Sequence, residues 1–330
     1  MTQTTATHPI KRLAESRIEC TVTFLPEEVS RAEASALERH RKNVTIKGFR
    51  PGHAPIEVVR TEVGSERLMD DTVRILLPQT LSRLIQEHQL KPIIPPTLSI
   101  STVSPLTIKL ILVEHPTVTT KKIPPIEKKD VHVQDVDLQR IIDYTLKQYN
   151  QTELTDAFVK EKLGGTSVAS FKDEVRKNLT AYEEDRENRR RQHVLLDTIR
   201  DTVEVDLAAE LIAEEERILT QEFLEDLKRA NVLVDDWCKQ MKKTTQDLAK
   251  ELRTQAEHRL KIRFGIEHLV ENHKIVADDQ HIEHAAKNVL EHLSEHDRKE
   301  QEPFYQKGQE GFERLRWKIQ VEKLMEELLQ

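Results

Sequence analysis

The chain has 330 residues, of which 51 are Lys or Arg and 58 are Asp or Glu, giving a net charge of −7. That length suggests two or three domains with room for a real core. A 33% charged fraction, 37% hydrophobic residues, 4% aromatics and only 8 glycines fit long amphipathic helices, and they argue against a cofactor-binding α/β enzyme or a large β-barrel, whose turns need glycine.

Two cysteines, Cys20 and Cys238, provide neither a disulfide framework nor a CxxC metal knuckle. Residues Met1 to Arg12 are polar, with no apolar segment of the kind a secretory signal carries. The longest uncharged stretch, Pro92–Ile108, contains four prolines and cannot be a membrane-spanning helix. A cytoplasmic protein with no membrane partner is expected.

Proline and charge divide the chain at one place. Twelve of the 13 prolines lie at or before Pro125, and residues 1–125 carry a net +4 against −11 for residues 126–330. In chain order, Ile18, Cys20, Val22 and Phe24 alternate with polar residues and predict a strand. Pro26-Glu27-Glu28 suits a helical first turn, with the helix running to about Lys42. A turn-rich loop follows at Gly48–Pro55, then helices at Ile56–Val63 and Ser65–His88. Leu98/Ile100 and Leu106 to Leu112 predict two more strands, completing an α+β domain over residues 1–114.

Residues 115–151 read as an extended proline-bearing linker and a helix. Asp135 would cap that helix, with Leu138, Ile141, Ile142, Thr145 and Tyr149 facing inward. Residues 152–330 read as almost entirely helical. A helix over Thr152–Leu163 would stop at Gly164-Gly165. Ser170 would cap a long helix to about Val203, with Asp173 completing a capping box. Its expected apolar positions are Phe171, Val175, Leu179, Tyr182, Leu196, Ile199 and Val203, and its charged middle, Glu183–Gln192, should face solvent or a partner. Further helices are expected at Asp206–Arg229, Thr245–His273, Asp278–Leu293 and Gly311–Leu329, as long arms and not as a compact bundle.

The most distinctive local sequence is Gly48-Phe49-Arg50-Pro51-Gly52-His53-Ala54-Pro55. It lies in a stretch with six basic residues from Arg39 to Arg60 against one acid, Glu57. An exposed Phe beside an Arg on such a loop suits docking on a polyanion, Arg for phosphates and Phe for an apolar or stacking anchor. The alternative is an ordinary turn whose Phe packs inward. His281, His284, His292 and His296 cluster near Asp278, Asp279 and Asp297, and His292 and His296 stand four apart on one expected helix face. Without HExxH or a cysteine, a solvated helix face is the better reading than a metal site. The acid runs Glu183-Glu184 and Glu214-Glu215-Glu216 read as solvated, and Trp237 and Trp317 as packing residues. No GxxxxGK[ST], GxGxxG or GxSxG occurs, so no catalytic residue, metal or cofactor is expected.

Taken in order, these features resemble the bacterial trigger factor family of ribosome-associated chaperones. Gly48–Pro55 is similar to the family's GFRxGxxP ribosome-binding signature. Leu154-Thr155-Asp156-Ala157-Phe158 and then Phe171–Leu179 resemble the opening of its C-terminal domain, and Phe304-Tyr305 through Gly311-Phe312 to Leu329 resembles its last helices. The resemblance implies a ribosome-binding domain (1–114), a linker (115–151) and a helical, peptide-binding chaperone domain with two arms (152–330). It implies partners in the large ribosomal subunit at the polypeptide exit, in nascent or unfolded chains and, as in the family, in a second copy of the chain. Gly48, Phe49, Arg50, Pro51, Gly52, His53 and Pro55 would bind the ribosome, supported by Arg41, Lys42 and Lys47.

The family's FKBP-like prolyl isomerase domain has no room here, because only four residues separate Tyr149 from Leu154. An ATP-independent, non-enzymatic holdase is therefore expected. The alternatives are a ribosome-independent holdase or assembly scaffold acting as a dimer, and an isomerase on some unrecognised part of the chain. Pro51 and His53 stand where familiar members carry Lys, which should weaken ribosome affinity, and Leu207 stands where a Pro often starts a helix.

Overall fold

The structure, a computed structural model, describes residues 10–43, 49–50 and 52–330. Its contacts form two units, Met1–Thr117 with Val205–Leu260, and Val118–Glu204 with Lys261–Gln330.

The first unit contains a four-stranded antiparallel sheet. Strands β1 (Ile10–Arg12), β2 (Arg17–Thr23), β3 (Thr97–Val103) and β4 (Leu106–Val113) lie in the order β1-β2-β4-β3. Alternation sets the register: Ile18 pairs with Leu112, Cys20 with Leu110 and Val22 with Ile108, so all six side chains share the buried face. Burial raises the Cys20 thiol pKa above its ordinary value, and the neighbouring Glu19 charge adds to the effect. Helices α1 (Pro26–Asn43) and α3 (Ser65–His88) cover that face with Val29, Val73, Leu76 and Leu84. Helix α2 (Ile56–Val63) packs on both through a second cluster, in which Val59 meets Ala36, Leu37 and Leu68. These elements match the expected ones closely; β1 was not foreseen, since three residues are too short to show a period.

From Val205 onward the same unit holds α7 (Ala209–Arg229) and α8 (Val234–Gln240), joined by α9 (Thr245–Asn272) as far as Leu260. Phe223 and Trp237 meet edge to face, ring centres 5.0 Å apart, over Cys238, Leu248 and Leu252. Helix α7 starts at Ala209, after Ala208 with no side-chain cap, three residues later than expected from Asp206.

The second unit is built on α6 (Val168–Thr202), to which α4 (Asp135–Gln148) packs through Leu138, Ile142 and Leu146 against Phe171, Val175 and Leu179. Ile141 is exposed and Leu146 takes the inward place assigned to Thr145. Asp135 is the first helical residue of α4 and not its cap; Gln134 precedes it without a side-chain bond. The helix expected from Thr152 begins at Asp156 as a short α5 (Asp156–Phe158), capped by Thr155, and continues as a π turn over Val159–Leu163. Gly164, at φ +70°, ends it as expected.

The start of α6 differs from the sequence reading. Ser167 is the N-cap and Ser170 the reciprocal partner three residues on, so both ends of the capping box are serines. Position 173 lies too far along the helix to reach the free amides of the first turn. Leu195, not Leu196, is fully buried, and Tyr182 is 65% exposed, because the face that turns inward shifts along so long a helix. Strands β5 (Val118–Thr120) and β6 (Val203–Val205) form a second small sheet, and Lys121 pairs with Glu204 at 2.7 Å. Helices α10 (Asp279–Glu291), α11 (Glu295–Gln301) and α12 (Glu310–Leu328) complete the unit, with Ile282 and Phe312 at the centre of their packing.

Among the described residues no helix is long and apolar enough to cross a membrane. The fold is therefore an α+β N-terminal part followed by a mainly helical C-terminal part with long helices.

Candidate functional site

The α1–α2 loop is held by its neighbours and not by its own chain alone. Ala54 is buried among Ala36, Leu37, Val59 and Leu68, which pins the loop's second half to the three-helix cluster. Gly52 sits at φ +84°, where a side chain would be strained. Its N–H donates to the Arg41 carbonyl at 3.0 Å, and the His53 N–H donates to Arg50 O at 3.0 Å. This turn leaves Phe49 40% exposed, with Arg50, His53 and Pro55 also exposed. Phe49 therefore does not pack inward. Gly48, Pro51 and Lys47 lie outside the described residues.

The charge around the loop is smaller than the run of basic residues suggests. Arg60 pairs with Glu33 and Glu57, and Arg41 pairs with Glu38 at 2.7 Å, with its Nε buried and unpartnered. The acids Glu33 and Glu38 come from earlier turns of α1, outside the stretch that contains only Glu57. Arg39, Lys42 and Arg50 are exposed and carry no ion pair among the described residues, so within that part of the loop region these three cations are available to an anion.

A second kind of surface was not legible in the sequence. Leu224 and Leu233, beside the α7–α8 connection, and Met241, at the far end of α8, are large apolar side chains left exposed. A groove of about 720 Å³ is lined by the first two together with Leu227 and Val234, with Lys228 and Asp236 also in its wall. On α4, Val136, Ile141 and Tyr144 are likewise exposed. Buried and exposed apolar residues share one helical period, so periodicity could not separate them.

The charged middle of α6 is not simply solvated. Glu187 is buried and accepts the Lys129 N–H at 2.9 Å, while Arg190 reaches Glu127 O at 3.0 Å and Arg191 reaches Ile126 O at 3.1 Å and also Leu329 O. The 126–129 segment is thus laid on α6. Arg190 first, and then the Lys129 N–H, hold the Glu187 carboxyl down at about 2. Glu215 is also buried, 3.1 Å from Arg259, so it too departs from the solvated reading. Trp237 packs as expected, whereas Trp317 is partly exposed.

The histidines do not converge. His292 ends α10, its Nδ1–H donating to Asn288 O of its own helix, 2.7 Å away, and His296 lies on α11, so the two do not share a helix face. Among the described residues no group of three or more His, Cys, Asp or Glu could hold a metal ion.

Comparison with known proteins covers nearly the whole chain. Residues 7–163 match the family model described as bacterial trigger factor protein, and residues 167–330 match that of the bacterial trigger factor C-terminus. The chain is 21% identical to the trigger factor of Halothermothrix orenii, covering 97% of this chain and 98% of that one over 421 aligned positions, more than this chain possesses. It is 20% identical to that of Carboxydothermus hydrogenoformans, over 84% and 89% of the two chains. It is 32% identical to that of Staphylococcus saprophyticus over 38% of this chain and 30% of the relative. A solved structure described for promiscuous substrate recognition in folding and assembly by the trigger factor chaperone superposes with a TM-score of 0.53. It shares 17% identity, covering 97% of this chain and 99% of that one. The two family models adjoin, so the region that carries the isomerase domain is missing.

Proposed function

The chain belongs to the bacterial trigger factor family, and from that premise we propose that it is a cytoplasmic, ATP-independent chaperone that docks on the large ribosomal subunit and shields emerging polypeptides. The division into a ribosome-binding domain (1–114), a linker (115–151) and a chaperone domain (152–330) is proposed on the same basis. One observation carries the docking: Phe49 and Arg50 stand exposed on a turn that Gly52 shapes and Ala54 anchors. Arg50 supplies a phosphate contact and Phe49 an apolar anchor, so the pair binds ribosomal RNA and protein edges together.

Docking beside the exit makes client capture effectively intramolecular. The exposed Leu224, Leu233 and Met241 then offer dispersed apolar contacts to an unfolded segment. Such contacts are individually weak, so a client leaves when it buries its own core, and no nucleotide is needed. With the isomerase region missing, the chain acts without prolyl isomerase activity.

The test is co-sedimentation with purified large subunits at low and moderate salt. Wild type should pellet in a salt-sensitive manner and the Phe49→Ala/Arg50→Ala double variant should not. A wild type that stays in the supernatant even at low salt would sink ribosome docking. The second reading, a ribosome-independent holdase or assembly scaffold, would then lead, favoured by apolar surfaces at Leu224 and Leu233 that need no ribosome.

A further inference from the structure

Helix α1 runs out of buried apolar side chains before it ends. Ala32, Ala36 and His40 stand four apart on one stripe of the helix, and among the described residues of α1 nothing apolar is buried beyond Leu37. Where the stripe would next place an apolar residue it places His40. The ring is mostly buried, and its Nε2 lies 2.7 Å from Asp71 Oδ2 on α3. A carboxylate can only accept, so the ring N–H donates.

That bond falls in the turn from which the signature loop leaves. The last turn of a helix has carbonyls without intrahelical partners, and it frays unless something else holds it. Here the Arg41 carbonyl, next in the chain, takes the Gly52 N–H, and the Arg41 side chain pairs with Glu38 of its own helix. The contact at Gly52 is thus no firmer than the turn that supplies its acceptor.

We infer that His40 and Asp71 are positioning residues of the docking loop. Their hydrogen bond fixes the last turn of α1 on α3, so that Arg41 O holds the Gly52 turn that leaves Phe49 and Arg50 exposed. Neither residue needs to touch a partner. The Ala54 anchor holds the second half of the loop by burial, and the His40–Asp71 pair holds the α1 end. A hydrogen bond suits that place, because it is directional and sets the rotation of the turn as well as its distance from α3. The inference rests on the proposed docking role of the loop and adds the residues that keep the loop in shape.

Two readouts on the full chain test it separately. The first is amide exchange at Gly52 in the free protein. His40→Ala and Asp71→Ala should each speed that exchange at least about tenfold, the effect of losing a hydrogen bond to a charged group. The double variant should be no faster than either, because both substitutions remove one bond. Exchange in the β2–β4 core should stay unchanged, and His40→Gln, which offers Asp71 a side-chain N–H, should restore slow exchange at Gly52. The second readout is affinity for purified large ribosomal subunits at low salt. It should fall about tenfold in each alanine variant and recover in His40→Gln. Equal Gly52 exchange in wild type and His40→Ala overturns the inference, whatever the subunits do. Core exchange that speeds as much as Gly52 makes the pair merely structural and overturns it too, as does faster Gly52 exchange with undiminished affinity. A wild type that fails to pellet while His40 still controls Gly52 exchange would strike out docking and reduce the pair to a clamp on the loop.

Discussion

Arg190 grips Glu187 from one turn further along α6, with Nε and Nη2 each 2.8 Å from a carboxylate oxygen, in the two-pronged geometry guanidinium favours. Glu187 passes the contact on to the Lys129 N–H, and Arg190 to the Glu127 carbonyl. A helical segment that reads as a solvated charged face is in fact the seat of the linker.

The Glu187→Gln variant should loosen this seat, because the amide keeps an acceptor for Lys129 but loses the charge that Arg190 grips. Amide exchange at Lys129 should speed up while exchange in the β2–β4 core stays unchanged. The carboxyl is held at about 2 from an ordinary 4.5, so its contribution is fully present above about pH 4.5 and is lost as pH falls toward 2. In wild type the 126–129 segment should therefore become less protected across that window, and the variant should show no such pH dependence. Equal protection of Lys129 in both proteins at pH 7 would refute the role of the charge.

Gly265 of α9 packs against Ile199 of α6 and Val203 of β6 in the second unit. A methyl group there would lie 2.5 Å from Val203 Cγ2 and 2.9 Å from Ile199 Cγ2, both on buried residues. Gly265→Ala should destabilise the protein by about 1–3 kcal/mol, the usual effect of overpacking, despite alanine's better helix propensity. Chemical denaturation reads this directly, and a stabilised variant would contradict the packing.

Ser167→Ala should lower stability by about 1 kcal/mol through loss of the α6 cap. Asp173→Ala, at the position the sequence proposes for the box, should change it by less than about 0.5 kcal/mol. Thermal melts of the two variants distinguish the two registers.

Three exposed cations near the signature loop, Arg39, Lys42 and Arg50, should each reduce the salt dependence of ribosome binding by about one unit of slope when replaced by Ala. Arg60→Ala should leave that slope unchanged, since Arg60 already pairs with Glu33 and Glu57. A drop in slope for Arg60→Ala equal to that for Arg50→Ala would show that these ion pairs open on docking.

Much of the N-terminal fold was legible because its signals are local. Alternation at Ile18, Cys20 and Val22 and the bounds of α2 and α3 follow from side-chain period and turn residues, which act within a few positions. The order of the signature loop and of the C-terminal segments also sufficed to point to the family. Tyr182 and Leu195 show where this fails: over 35 residues of α6 the buried stripe is set by whichever element happens to lie against each turn. The same limit hid the pairing of Arg60 with Glu33, 27 residues away.

By itself the sequence determined the element types, the proline-rich stretch before α4, the Gly48–Pro55 signature that resembles the family's and the missing room for an isomerase domain, because each rests on composition, short-range sterics or simple length. Only the tertiary structure decided which cations stay free at the loop, which apolar residues remain exposed, that Glu187 is buried under the linker, and that His40 meets Asp71. Those properties depend on which distant segments meet, and contact between distant segments carries no periodic mark along the chain.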